Sequence, residues 1–220
     1  MSKTLALIHT VGELVPVYKA LCAEMLPGVD CFHLLDEGIA RLLNREGGIT
    51  PRLAWLLTGL AVRAEEHGAD LILVTCSSAS PAVDDVRPQV CVPVLKIDEP
   101  MADLAVQSGE RIGVLATSRS ALAPVAALVE SRARAAGRHV EVQTLFLEGA
   151  LQSLQTGDAT THDRRVVEGI RQLARWAQVV VLAQGSMARA LEGWPEAERP
   201  CPILTNARLG LQRVAQLLNG

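Results

Sequence analysis

Two α/β lobes built on parallel sheets are predicted by three features of this 220-residue sequence. Short apolar runs alternate with longer helical patterns, glycine or proline marks most of the joins, and the pattern repeats at a shift of about 110 residues. Each lobe is expected to be Rossmann-like (flavodoxin-like), with the two related by pseudo-twofold symmetry. Leu5–His9 is an apolar run of buried-strand length, and Leu14–Met25 follows it with helical periodicity. Pro27-Gly28 breaks that helix before a second strand at Val29–Leu35. Helices are predicted over Gly38–Asn44 and Pro51–His67, separated by Gly47-Gly48 and ended by Gly68. Strands at Leu71–Thr75 and Val92–Leu95 flank a helix at Ala79–Val86. A helix at Pro100–Gln107 leads to a strand at Ile112–Ala116 and a helix at Ser120–Ala136. Val140–Phe146 reads as a strand, Ala150–Thr156 and Thr160–Ala177 as helices, and Val179–Ala183 and Ile203–Leu204 as strands. Ala207–Leu218 closes the chain as a helix.

The repeat is visible at fixed offsets. Val29-Asp30-x-x-x-Leu34-x-x-Glu37-Gly38-x-x-x-x-Leu43 matches Val140-Glu141-x-x-x-Leu145-x-x-Glu148-Gly149-x-x-x-x-Leu154. The run from Asp70 to Cys76 lies over the run from Gln178 to Gln184. Thr10 and Cys76 are 66 positions apart, and Thr117 and Gln184 are 67 apart. Two Rossmann-like units resemble each other in any case, but identity at several offsets favours a true duplication. Lobe one is assigned residues 1–98 plus 207–220, and lobe two residues 99–206. Two such lobes imply a cleft lined by the carboxyl ends of strands from both.

Composition narrows the function. Hydrophobic residues make up 49% and charged residues 20%, the balance of a folded globule. Twenty-one basic against 24 acidic residues give a net charge of −3, and aromatics are only 3%. A nucleic-acid surface built on phosphate contacts and stacking has no basis here. Apolar runs are far short of a membrane span, and no secretory signal pattern opens the chain. Five cysteines, Cys22, Cys31, Cys76, Cys91 and Cys201, include no CxxC pair, which argues against a disulfide framework or structural zinc. A cytoplasmic protein without metal is expected; the sequence is compatible with a homo-oligomer and does not fix one.

Ligands of doubly wound lobes meet the loops just past the strand ends. Those positions are His9-Thr10, Thr75-Cys76-Ser77-Ser78 and Asp98-Glu99 in lobe one. Lobe two supplies Thr117-Ser118-Arg119-Ser120 and Gln184-Gly185-Ser186-Met187. These are hydroxyls, amides and one thiol, without a GxGxxG or P-loop. Cys76 follows an apolar strand and precedes Ser77-Ser78-Ala79-Ser80-Pro81, which reads as a helix entry with hydroxyl caps and an early proline. A thiolate there would be favoured by the helix dipole. The other four cysteines lie within or beside apolar elements and read as buried packing residues.

The runs Val74-Thr75-Cys76-Ser77-Ser78-Ala79, Val92-Pro93-Val94-Leu95-Lys96-Ile97-Asp98-Glu99-Pro100-Met101-Ala102 and Arg111-Ile112-Gly113-Val114-Leu115-Ala116-Thr117 together resemble the aspartate/glutamate racemase superfamily. That group includes hydantoin racemases, maleate cis-trans isomerase and arylmalonate decarboxylase. The resemblance covers nearly the whole chain. It implies proton transfer without a cofactor, at a carbon next to the carboxylate of a small acid or amino-acid-like substrate. In the family two cysteines, one from each lobe, exchange the proton, a case of general acid–base catalysis. Cys76 falls on the first of them, as acid/base or nucleophile. Ser77, Ser78, Thr117, Ser118 and Ser120 fall on or near hydroxyl positions that hold the carboxylate, and His9, Thr10, Thr75, Gln184, Gly185 and Ser186 complete the expected binding set.

The sequence departs from the family in lobe two. Where the family has Gly-Cys-Thr, this chain has Ala183-Gln184-Gly185-Ser186, and an amide is neither acid nor base at neutral pH. Arylmalonate decarboxylase also has a single cysteine, but in the second lobe. A racemase-type isomerase is therefore the leading expectation, with single-face decarboxylation and a non-catalytic small-acid-binding protein as its alternatives. His9 is a second base or a hydrogen-bonded structural histidine. His33, His67, His139 and His162 carry no signal. Asp98 and Glu99 read as capping residues, and Arg119 and Arg189 as solvated unless they meet a carboxylate.

Overall fold

Eight apolar runs become eight parallel strands among the described residues, 2–219 of the computed structural model. In chain order the strands are β1 Thr4–His9, β2 Asp30–Leu35, β3 Leu71–Val74, β4 Val94–Lys96, β5 Arg111–Ala116, β6 Glu141–Phe146, β7 Val179–Leu182 and β8 Ile203–Thr205. The helices are α1 Leu14–Met25, α2 Glu37–Glu46, α3 Pro51–Glu66, α4 Val83–Val86, α5 Glu99–Ser108, α6 Arg119–Ala135, α7 Ala150–Gln155, α8 Ala159–Leu173 and α9 Asn206–Asn219. They form two units: residues up to Ile97 with those from Ala207 onward, and Asp98–Asn206.

The sheets have the same order, β2-β1-β3-β4 in unit one and β6-β5-β7-β8 in unit two. The registers correspond as well: Ile8 pairs with Val74 in one sheet and Leu115 with Leu182 in the other. Two residues beyond those pairs lie Cys76 and Gln184, so they occupy equivalent positions of their units. The strand starts repeat the relation. The Asp70 carboxylate accepts from Thr4 N at 2.7 Å, and Gln178 Oε1 accepts from the equivalent Arg111 N at 3.1 Å.

Helices cover both faces of each sheet, so the central strands are apolar on both sides. In β1, Ala6 and Ile8 face the core under α3, while Leu5 and Leu7 face the core under α1 and α9. α3 turns Leu53, Ala54, Leu57, Leu60, Ala61 and Ala64 inward, one stripe at helical spacing. Thr50 caps it through Leu53 N, with Pro51 in the first turn. α8 buries His162, Val166, Gly169, Ile170 and Leu173. A Cβ on Gly169 would lie 2.9 Å from Leu115 Cδ1, so glycine lets this helix approach the sheet closely.

Three expectations need correction. The helix read over Ala79–Val86 is a 3₁₀ turn, Ser80–Ala82, followed by a single α-turn, Val83–Val86, and a further 3₁₀ turn, Arg87–Gln89. The helix read to Ala177 stops at Leu173. Asp98, placed at the end of lobe one as a cap, makes no side-chain cap and lies in unit two. It is buried and accepts a 2.8 Å hydrogen bond from Asn206 Nδ2, so a buried carboxylate is satisfied from the residue that begins α9.

Candidate active site

Cys76 leaves β3 in a tight turn. Its carbonyl accepts from Ala79 N at 3.1 Å and from Ser80 Oγ at 3.2 Å. The Ser80 hydroxyl therefore tightens the turn instead of capping an α-helix, and a dipole argument for the thiolate loses its basis, because α4 is four residues long. The thiol is half-buried, Ser77 is buried and Ser78 half-buried. Packing of Cys76 against the α3-side core fixes the residue from below.

A chain of side-chain hydrogen bonds runs beside it at the end of β1. Thr75 Oγ1 donates to Ile8 O at 3.0 Å, which uses its single proton. It therefore accepts from His9 Nδ1 at 2.9 Å, leaving His9 Nε2 to accept from His33 Nδ1 at 2.9 Å. The network thus assigns both tautomers, with each proton on Nδ1. His9 stacks on His33 and tilts against Tyr18. The structure brings His9 and Thr75 together, with His33 as a partner that local spacing did not indicate. Both ring nitrogens of His9 are committed to this chain, which is the structural alternative for that residue.

Burial, with His33 adding to it, lowers the His9 pKa from 6.5 to about 4. His33 is lowered in the same direction by burial. Between pH 6.5 and 4 the unfolded chain then binds more protons than the folded one, so stability rises with pH across this window. From neutral pH down to pH 4, His9 is expected to remove about 3 kcal/mol of stability. Urea midpoints at pH 7 and pH 4 measure this, and His9→Gln should flatten the difference. An equal loss in the variant would show that His9 is not its source.

The equivalent corner of unit two is built differently. Gln184 Oε1 accepts from Thr117 N at 2.7 Å, Thr117 Oγ1 at 3.0 Å and Ser118 N at 2.9 Å. Three donors converge on one carbonyl oxygen at the start of α6. The side chain is thereby fixed, and its oxygen is saturated. Ser118 Oγ and Ser120 Oγ lie 2.9 Å apart in hydrogen-bond contact. In unit one, Thr10 holds the place of Thr117, and its hydroxyl is buried with no hydrogen-bond partner among the described residues. Gly185 and Ser186 begin a 3₁₀ segment, Gly185–Leu191.

The two arginines have partners of their own. Arg189 Nε lies 3.0 Å from both oxygens of Asp163, and Arg119 stacks over Phe146 at 4.3 Å. Sequence reasoning passed over His162, which is fully buried and bonded through Nδ1 to Asp163 at 2.7 Å. Its only sequence signal is its place on the inward stripe of α8. Cys91, read as a packing residue, is exposed. Among the described residues no helix is long and apolar enough to cross a membrane, and no group of three or more His, Cys, Asp or Glu is placed to hold a metal ion.

Known structures share this architecture. An aspartate racemase of Picrophilus torridus superposes with a TM-score of 0.73 at 11% identity, covering 99% of this chain and 94% of that one. An aspartate racemase homologue of Pyrococcus horikoshii gives 0.70 at 15% identity, with all of both chains covered. An allantoin racemase of Klebsiella pneumoniae gives 0.68 at 16% identity, over 99% of this chain and 88% of that one. At such identities the likeness is one of fold. Residues 15–214 also match the Asp/Glu/Hydantoin racemase family as a sequence, and that span holds Cys76, Thr117 and Gln184. On this match the chain belongs to the Asp/Glu/hydantoin racemase family, a family of isomerases.

Proposed function

We propose that the protein moves a proton, without a cofactor, at a carbon adjacent to the carboxylate of a small acid or amino-acid-like substrate. Cys76 is the acid/base of the reaction. The observation that carries the reading is the register equivalence of Cys76 and Gln184, a thiol in unit one and an amide at the matching place of unit two. A thiol titrates near enough to neutral pH to take a proton from carbon and return it. Gln184 does neither, and its oxygen is already held by three donors. Ser77 and Ser78, beside the thiol, hold the carboxylate and the enolate-like charge.

The fixed Gln184 also favours a second reading, decarboxylation with protonation from the Cys76 face alone. Substituted malonates would then be consumed, with carbon dioxide released. Chiral chromatography of amino acids, hydantoins and substituted malonates after incubation with the natural chain and with Cys76→Ala tests the class of reaction. Turnover that depends on Cys76 supports the reading. Turnover of these compounds that persists in Cys76→Ala contradicts it.

A further inference from the structure

Two thiols that the proposed chemistry does not use meet on the other side of the unit-one sheet. Cys22 lies on the inward stripe of α1 and is 4% exposed. Cys31 lies on β2, which the strand order makes an edge strand, and it is half-buried. Pairing of Cys31 with Leu5 puts its side chain in the row facing α1, and Cys22 and Cys31 pack in the same core cluster. The two side chains lie close enough to perturb each other's titration, and Cys31 Sγ also meets Val29 O at 3.7 Å. Only the turn at Pro27-Gly28 and its flanking residues separate them along the chain, Gly28 taking a φ of 89° to reverse direction.

We propose that Cys22 and Cys31 form a dithiol site that a peroxide oxidises to a disulfide. The two sulfurs differ in the way such a step requires. The Cys22 thiol stabilises a thiolate on Cys31 and holds it below the ordinary thiol range. The same interaction and burial push Cys22 up, so it keeps its proton. The Cys31 thiolate attacks one peroxide oxygen, the O–O bond breaks, and hydroxide leaves and takes up the proton that Cys31 had released. Cys31 becomes a sulfenic acid. Cys22 sulfur then attacks Cys31 sulfur, the S–O bond breaks, and the hydroxyl departs with the Cys22 proton as a second water. Two thiols lose two electrons, and the peroxide is reduced to two waters. Both thiols belong to one core cluster and flank a single turn, and a disulfide needs their Cα atoms within about 7 Å. His33, two residues along β2, belongs to the chain of hydrogen bonds that ends at Thr75, so the site adjoins the corner carrying Cys76.

The test uses the natural chain and does not depend on any activity. After treatment with hydrogen peroxide, the remaining thiols are blocked with N-ethylmaleimide. Trypsin then releases both cysteines in one peptide, residues 20–41. The expected result is loss of two maleimide adducts from that peptide, a mass lower by about 2 Da than the dithiol, and reversal by a phosphine reductant. Cleavage at Glu24 should leave two fragments joined until reduction. In Cys22→Ser, Cys31 should be trapped by dimedone as the sulfenic acid, with no cross-link. Peptide 20–41 that retains two maleimides at a peroxide dose oxidising the exposed Cys91 would overturn the proposal. So would a disulfide that joins Cys31 to any cysteine but Cys22.

Discussion

Cys76→Ser is expected to lower turnover by about 10²–10⁴-fold while leaving the fold intact. Serine keeps the size and the polar character of the side chain, and the turn is held by the Cys76 carbonyl, which the substitution does not touch. What changes is the acid. A hydroxyl does not ionise near neutral pH, so it takes no proton from a carbon acid without a separate base. His9, whose ring bonds the neighbouring Thr75, has both nitrogens engaged with Thr75 and His33 and is neutral down to about pH 4. Cys22, Cys31, Cys91 and Cys201 to alanine are expected to retain turnover. Initial rates on a confirmed substrate, with unfolding midpoints as controls, measure the effect. Full turnover in Cys76→Ser would remove the thiol from the mechanism.

Gln184→Ala is expected to cost about 3 kcal/mol of stability. The substitution withdraws the acceptor from two backbone N–H groups and a hydroxyl, and Thr117 is buried, so water replaces it poorly. Gln184→Glu keeps an oxygen for the same donors and should stay within about 1 kcal/mol of the natural chain, because backbone N–H groups favour an anion. Chemical denaturation of the three proteins separates these outcomes. An alanine variant as stable as the natural chain would show that the three hydrogen bonds hold nothing in place. Gln184→Cys tests the functional side, since a thiol at this position restores the family's second acid. It is expected to gain proton exchange at the α-carbon, read as faster deuterium uptake from heavy water than in the natural chain.

The strands were legible because each is a short apolar run bounded by turn residues, and the duplication because Cys76 and Gln184 fall at matching offsets from their strands. That the order β2-β1-β3-β4 is copied in the second unit follows from that repeat. Side-chain partners across the sheet were not legible. His33 reaches His9 only through the register that pairs His33 with Leu7, and no local spacing shows it. Gln184 likewise binds residues 66 and 67 positions away. The Ser77–Pro81 run was misread because hydroxyls and proline look like a helix entry, whereas Ser80 bonds back to the Cys76 carbonyl and tightens the turn. Asp98 looked like a cap for the same reason, and its carboxylate instead meets Asn206, 108 residues later.

The central claim is one-sided proton transfer by Cys76, and the stereochemistry of deuterium entry tests it most directly. A turned-over substrate is incubated in heavy water, and the label at the α-carbon is followed by NMR with resolution of the enantiomers. The account predicts deuterium entering on one face only, with entry abolished in Cys76→Ala. Rapid labelling and interconversion of both enantiomers by the natural chain would contradict it.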